Sequence, residues 1–528
     1  MRYGHYLKSI YVLIFLIFLV PRTVGLGSDI ANYDSSYWYP RMQDFTKYLL
    51  RGDYKQTYQK YHPGVTLMWV SGTAEYVFEN TFEAVLHFNP RYIPQQFTRL
   101  HFATKFPLVV IISFLGTLQF FYIRRLYDTK LAIIFAIMLS LEPFFLGVSR
   151  FLHLSALTAM FMFTSFLMLY YSLEKKGKHS KKLFYLSSII LGLGILTKID
   201  ALIAAPVNAI LILYYGLSEK TKIKTLLTKS TFYFFLTFLT FYALFPAMWV
   251  APFSTVYRMY FEGILDTAFN SDNGGAYSIT NIKTLYYFEF IFLRSLPTTV
   301  IALIFGLYLN LRSIKLKKSN KFINWVIIYF FFNLIILAIP EKLKDRYLIN
   351  LYPPIMIIAA TAIYNLITLK NKSLKFSTLG IIVILYMLTI YRYHPVYSFY
   401  HTDFLGGPAG IQKIDLALKN RGEYYAQVAA YINKTDSEAH NRNVILSQRE
   451  MVRSFAPFFY GQTFTNPKFM ENGFNADYIV TRQDLDYLVP RDKCTLTKIF
   501  GPKDPFGYTM LRLYTCKNLT NDYKDFKN

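Results

Sequence analysis

Asp34 lies near the start of a polar, aromatic stretch, DIANYDSSYWYPRMQDFTKYLLRGDYKQTYQKYHPG (Asp29 to Gly64), in a chain otherwise dominated by apolar runs. A carboxylate so placed can take a proton from a hydroxyl as a general base. Followed by Ser35, Ser36 and Tyr37, it is equally suited to cap a helix. Asp29, Asp44 and Asp53 are rival carboxylates. Arg41 falls about two helical turns after Asp34 on roughly the same face, where it suits an anionic headgroup or an interfacial anchor equally well. His62, before Pro63-Gly64, reads as a tight-turn residue. Arg150 and His153 lie in SRFLHLSAL (Ser149 to Leu157), at the end of an apolar run, where charge needs a cavity or a partner. Lys198 and Asp200 are spaced to pair across a turn. Glu341, Lys342, Lys344, Asp345 and Arg346 crowd one short loop. Arg and Lys give charge-assisted hydrogen bonds to phosphate oxygens; a set of snorkelling anchors is the alternative.

The elements that must position these residues are membrane spans. The chain has 528 residues, 53% of them hydrophobic and 19% aromatic, and its apolar runs recur at roughly bilayer length. They fall at Leu7–Leu26, Ala103–Ile123, Leu131–Val148, Ser155–Leu173, Leu183–Leu196 and Ile199–Gly216. They continue at Thr231–Val250, Leu296–Leu311, Phe322–Ile339, Tyr347–Leu369 and Thr378–Tyr391, about eleven in all. The pair flanking Lys198 reads as two spans or one broken span. Lys plus Arg is 57 and Asp plus Glu 32, a net +25. Much of that excess sits in alternate short loops: Arg124 and Arg125, Lys175 to Lys182, Lys220 to Lys229, Arg312 to Lys321, and Lys370 to Lys375. That is the positive-inside pattern, so the charge points to topology and not to nucleic acid. It predicts a cytoplasmic amino terminus, a long first outer loop over about 27–99, and an extracytoplasmic tail. The opening span, ending in Gly25-Leu26-Gly27-Ser28, has the look of a secretory signal, retained or cleaved.

A polytopic membrane domain is therefore expected over 1–392 and a soluble α/β domain over 393–528. The tail pattern predicts a helix over Glu423–Asn433, strands over Val444–Ser447 and Tyr478–Thr481, and a closing hairpin, Thr495–Phe500 with Tyr508–Thr515. Cys494 and Cys516 stand equidistant from the hairpin turn, so antiparallel pairing brings them within disulfide reach. An exterior compartment permits that bond. No glycine-rich phosphate loop, paired-cysteine zinc motif or Ser-His-Asp arrangement is visible. Outward chemistry without a nucleotide site calls for an activated, lipid-linked substrate.

Taken in order, these segments resemble a known family. Tyr33-Asp34-Ser35-Ser36-Tyr37-Trp38 is similar to the first-loop motif of GT-C class membrane glycosyltransferases, in the protein O-mannosyltransferase and lipid A aminoarabinose transferase group (glycosyltransferase family 39-like). Asp34 matches the catalytic Asp of that motif and Arg41 its Arg. Tyr61 to Trp69 looks like the second part of the loop, and SRFLHLSAL resembles the second-loop motif Arg-x-x-His-x-Asp-Ala. LGLGILTKIDAL (Leu191 to Leu202) and KLKDRYLINLYPP (Lys342 to Pro354) resemble two further segments. Two positions depart from the pattern: Ser35 where many members have Glu, and Ser155 in place of the second-loop acid.

The resemblance implies a mainly α, polytopic GT-C fold with about eleven transmembrane helices, anchored in a cell membrane or the endoplasmic reticulum among membrane lipids. It implies inverting transfer of a sugar from a polyprenyl- or dolichyl-phosphate carrier to a hydroxyl on a protein, lipid or glycan. Asp34 would be the base, and Arg41, Lys198, Lys342 and Arg346 would hold the donor phosphate, Arg346 foremost. His62, Arg150 and His153 are further site candidates. The resemblance implies no certain cofactor. A divalent metal is left open, and Ser155 argues against one. A flippase for lipid-linked glycans and a non-catalytic protein of the same fold are the alternatives. Transporters favour internal repeats and midplane polar residues, whereas the charges here crowd one membrane surface.

Overall fold

The computed structural model describes residues 2–86, 94–175, 177–265, 280, 282–368, 372–414, 418, 421–465, 476–503, 505 and 507–519. Of the expected features, Lys176 and Lys370, the Leu369 end of one span, and Asp504 and Phe506 of the hairpin turn lie outside them. Each of the eleven apolar runs carries a helix, since a segment in lipid must satisfy its own backbone hydrogen bonds. Seven of these helical segments are long and apolar enough to cross a membrane, from Pro94–Leu126 to Asp345–Ile367. Three shorter apolar helices, Ser9–Thr23, Thr129–Leu141 and Ser377–Tyr393, join them. The helix Ile223–Leu244 falls in neither group, because its first turns (IKTLLTKS) are polar and basic. Among the described residues, length and hydropathy alone do not establish the expected count of eleven.

Lys198 settles its own neighbourhood. Its extended backbone ends the helix Lys178–Thr197, and a new helix runs over Ala204–Ser218, so two helices flank it. Ser155–Glu174 and Asp345–Ile367 form the bundle's centre, with 89% and 94% of their apolar windows buried. Ile199–Ser218 and Pro297–Lys315, at 33%, lie at its rim.

The first helix, α1 (Arg2–Thr23), is built into the bundle. Ile14, Phe18 and Arg22 are buried, and Arg22 Nη1 donates to Phe18 O (2.8 Å) and Ser140 Oγ (3.3 Å). Just beyond it, buried Asp29 accepts from Lys105 Nζ at 2.6 Å and Arg150 Nε at 3.0 Å. Arg150 also donates to Pro21 O and Val24 O, so it fastens the start of the first loop to the bundle.

The loop helix α2 (Ser35–Leu50) buries Ser35, Trp38, Met42 and Phe45, a stripe at helical spacing. Leu49, one turn beyond Phe45, is only half-buried.

The tail forms a five-stranded sheet in the order β2-β1-β3-β5-β4. Its strands are β1 (Asn443–Leu446), β2 (Gln462–Phe464), β3 (Ala476–Arg482), β4 (Cys494–Phe500) and β5 (Leu511–Leu519). β1 runs parallel to β2 and β3, and β5 antiparallel to β3 and β4. Cys494 pairs with Cys516 in register and the two form a disulfide, as the hairpin predicts. The tail helix begins at Tyr425 and not Glu423, because Gly422 (φ 99°) and Tyr424 (φ 66°) are left-handed. The tail closes on the bundle's loop end: Tyr33 N–H donates to Arg421 O, and Gln427 Nε2 to Ser28 O and Asp29 O.

Candidate active site

Asp34 does not act as a helix cap. Its backbone is helical (φ −66°, ψ −30°) and its side chain makes no capping bond. Local turn bonds come instead from Ser35 Oγ to Asn32 O and Ser36 Oγ to Tyr33 O. The carboxylate is left to other partners: Arg346 Nη1 donates to Asp34 Oδ2, and His153 Nε2 lies 3.8 Å from the same oxygen. Burial opposes its ionisation, but Arg346, then His153, Arg421 and Lys344, outweigh that and hold it at about 2. Asp34 is therefore a carboxylate at neutral pH.

His153 reaches Asp34 from the segment between the helices Pro143–Val148 and Ser155–Glu174. The Ser155 backbone N–H donates to His153 Nδ1 (3.2 Å). A neutral ring bonded this way carries its proton on Nε2, facing Asp34. Burial lowers His153 to about 3, with Asp34 opposing and Arg346, Lys198 and Arg421 adding to the drop. Ser155 contributes its main chain to the site, and its Oγ is buried without a hydrogen-bond partner among the described residues.

The turn His62-Pro63-Gly64 is pinned on two sides. Gly64 N–H donates to Thr197 O at 3.1 Å, which places it beside Lys198. Gly64 is left-handed (φ 62°), and a Cβ there would lie 2.3 Å from the Trp38 ring of α2. Only glycine combines that conformation with that approach. His62 consequently stands among Lys198, Arg346, His153 and Lys342. Burial first, and then those charges, lower its pKa well below the usual imidazole range. Its Nδ1 is buried without a hydrogen-bond partner among the described residues.

The cations divide into three groups. Lys198 Nζ pairs with Asp200, the turn pairing expected from spacing, and also lies 4.2 Å from the Tyr347 ring centroid. Half-buried Lys342 has no ion-pair partner among the described residues. With Arg346 these two surround His62. Arg41 is stacked over Trp38 (4.8 Å) and Tyr37 (5.8 Å) and lies within electrostatic reach of Asp34. Arg150 is held on Asp29, and among the described residues Asp34 takes its ion pair from Arg346 instead.

The crowded loop 341–346 is not one anion-binding patch. Glu341 pairs with Lys283, Asp345 with Arg294 (2.9 Å) and Arg421, and Arg346 with Asp34. Arg294 and Arg421 are site-supporting residues that sequence reasoning missed. Arg294 carried a signal, a charge within the apolar run Tyr286–Leu296. Arg421 carried none. Among the described residues no three His, Cys, Asp or Glu side chains converge as metal ligands would.

A helical bundle brings one ionised carboxylate and several cations to a single end, closed over by a small sheet domain. With seven helices among the described residues long and apolar enough to cross a membrane, the chain is an integral membrane protein. Residues 92–249 match the family model described as dolichyl-phosphate-mannose-protein mannosyltransferase. Among solved structures the chain is similar to ArnT from Cupriavidus metallidurans in the apo state, with 12% identity and a TM-score of 0.47 over 96% of this chain and 98% of that one. ArnT bound to undecaprenyl phosphate gives 11% and 0.46 over the same shares. The archaeal oligosaccharyltransferase AglB from Archaeoglobus fulgidus, in complex with an inhibitory peptide and a dolichol-phosphate, gives 11% and 0.45 over 92% and 70%. No curated protein sequence matches the chain.

Proposed function

We propose that the chain transfers a sugar from a polyprenyl- or dolichyl-phosphate carrier to an acceptor hydroxyl, with inversion, on the non-cytoplasmic side of the membrane. The observation that carries this reading is the Asp34 carboxylate, released from capping and ionised beside Arg346, Arg421 and Lys344, with Lys198 and Lys342 around neighbouring His62. The mannosyltransferase match over 92–249 supports it.

Asp34 takes the proton of the acceptor hydroxyl. The acceptor oxygen attacks the anomeric carbon, and the bond from that carbon to the carrier phosphate breaks, its electron pair leaving with the phosphate. Arg346, Lys198 and Lys342 stabilise that leaving charge, while His153, protonated on Nε2, offers a neutral hydrogen bond. Paired with Arg346, Asp34 is a weak base. Donor phosphate competes for the same guanidinium, and each hydrogen bond it draws away lets burial raise the carboxylate toward a more useful pKa. Arg41, stacked on Trp38 and Tyr37, lies within electrostatic reach of Asp34 and completes the proposed donor set.

The test is a panel of lipid-linked sugars incubated with purified protein and candidate acceptors, products being read by mass spectrometry. Transfer of one sugar with release of the carrier phosphate is expected. No transfer from any member of a broad panel contradicts the reading.

A further inference from the structure

At the end of the bundle opposite Asp34, four helices meet around a cavity that the transfer chemistry leaves unused. The helix Lys178–Thr197 separates the two ends: Lys198, after its last turn, stands beside the site, and its first turn lies about 28 Å away by the rise of an α-helix. The cavity, about 430 Å³, is walled by the last turns of Ser155–Glu174 and Ala204–Ser218 and the first turns of Lys178–Thr197 and Ile223–Leu244. That volume falls within the range of ligand pockets.

Its lining is divided between apolar and cationic groups. Buried Ile212 and Leu226 form the floor, and half-buried Leu173 and Phe184 an apolar wall. Lys181 and Lys229 stand exposed on the rim, and among the described residues neither has a carboxylate at ion-pair distance. Of the nearby acids, Glu174 accepts from Tyr215 Oη at 2.5 Å, and Glu219, also on the lining, has a partner of its own. Gly177 and Thr221 bring the starts of two long helices to the same cavity, and neither start has a side-chain cap, so first-turn N–H groups add to the positive potential. Two of the walls are loosely held: 39% and 33% of the apolar windows of His179–Thr197 and Ile199–Ser218 are buried.

We propose that this cavity binds an anionic phospholipid from the leaflet at that end of the bundle, and that the bound lipid braces these loosely held helices. Its phosphate meets Lys181 and Lys229, and the upper part of an acyl chain covers Leu173 and Phe184. A basic pocket between spans, at the membrane surface, suits an anionic headgroup. A soluble phosphate would satisfy the lysines and leave the apolar wall in water. The site lies away from Asp34 and does not depend on the transferase reading.

Full-length protein in detergent micelles is titrated with dioleoyl phosphatidylglycerol, with dioleoyl phosphatidylcholine, and with glycerol 3-phosphate, which carries the phosphate without acyl chains. Bound lipid is read by native mass spectrometry, with the thermal midpoint in parallel. Phosphatidylglycerol is expected to bind about thirtyfold more tightly than phosphatidylcholine, roughly fivefold for each lysine, and to raise the midpoint, because it binds the folded state. The preference should be nearly lost in K181Q/K229Q and intermediate in each single variant. It should remain in K315Q/K318Q, which removes equal charge from another exposed loop at the same end. Midpoints without added lipid confirm that the variants fold. Glycerol 3-phosphate should neither displace phosphatidylglycerol nor raise the midpoint. Equal binding of the two phospholipids, a preference retained in K181Q/K229Q or lost equally in K315Q/K318Q, an unmoved midpoint, or displacement by glycerol 3-phosphate overturns the proposal.

Discussion

Asp345 ties the site to both halves of the molecule, and replacing it with Asn tests that tie. Its carboxylate joins Arg294 of the membrane domain to Arg421 of the tail, and the next residue, Arg346, holds Asp34. The Asp345 and Arg294 side chains are 1% and 4% exposed, so water cannot replace a lost partner. Unit charges ~3 Å apart attract by about 5–6 kcal/mol at an effective dielectric of about 20. Removing one member of a buried pair costs about 3–5 kcal/mol in measured cases. The Asn carbonyl keeps one hydrogen bond, so Asp345→Asn should fall near the lower end, about 3 kcal/mol. The assay is denaturant unfolding in detergent micelles, with a thermal scan in parallel. The triple variant R294M/D345L/R421M, which replaces all three charges with apolar groups, should recover much of the loss. A D345N protein within about 0.5 kcal/mol of wild type would refute the claim that this ion bridge holds tail to bundle.

Arg346 is the largest of the charges holding Asp34 at about 2. In R346Q burial is less opposed and the carboxyl pKa rises. Asp34 loses its charge as pH falls through that value, so the acid limb of the transfer rate should move to higher pH, and less far in R346K; an unmoved limb contradicts the pairing. The Cys494–Cys516 bond closes a segment with a separation of 22 residues, a loop whose cross-link contributes about 3 kcal/mol in the chain-entropy account. C494S/C516S should lower tail stability by that order, read by protease resistance of the tail. Arg22→Ala should free the end of α1 from Ser140 and Phe18, lowering the thermal midpoint, and an unchanged midpoint would show that α1 docks without it.

What could be read in advance was what local pattern encodes. Apolar runs gave the helices, and the symmetric placement of Cys494 and Cys516 about a turn gave both hairpin and disulfide. Strand β2 escaped because Gln462–Phe464 is three residues long and pairs in parallel with β1, which leaves no alternating pattern to see. The site was legible in part. Asp34 and Arg346 were both candidates, but their contact spans 312 residues and no spacing rule reaches so far. Arg150 and His153 looked alike in one motif. The fold separates them, sending Arg150 to Asp29 and His153 to Asp34. The loop 341–346 read as one cationic patch because charge was visible and its partners Lys283, Arg294 and Arg421 were not. The capping reading of Asp34 failed for a related reason: a distant arginine competes for the carboxylate, and the serines after it satisfy the local turn.

The central claim is that Asp34 takes the acceptor proton. The most direct measurement is single-turnover transfer from the donor that the panel identifies, comparing wild type with D34N at matched protein level and with donor binding measured separately. The account predicts that D34N binds donor and transfers at least about 10²-fold more slowly, the lower range for loss of a general base. Transfer by D34N within a few-fold of wild type would contradict it.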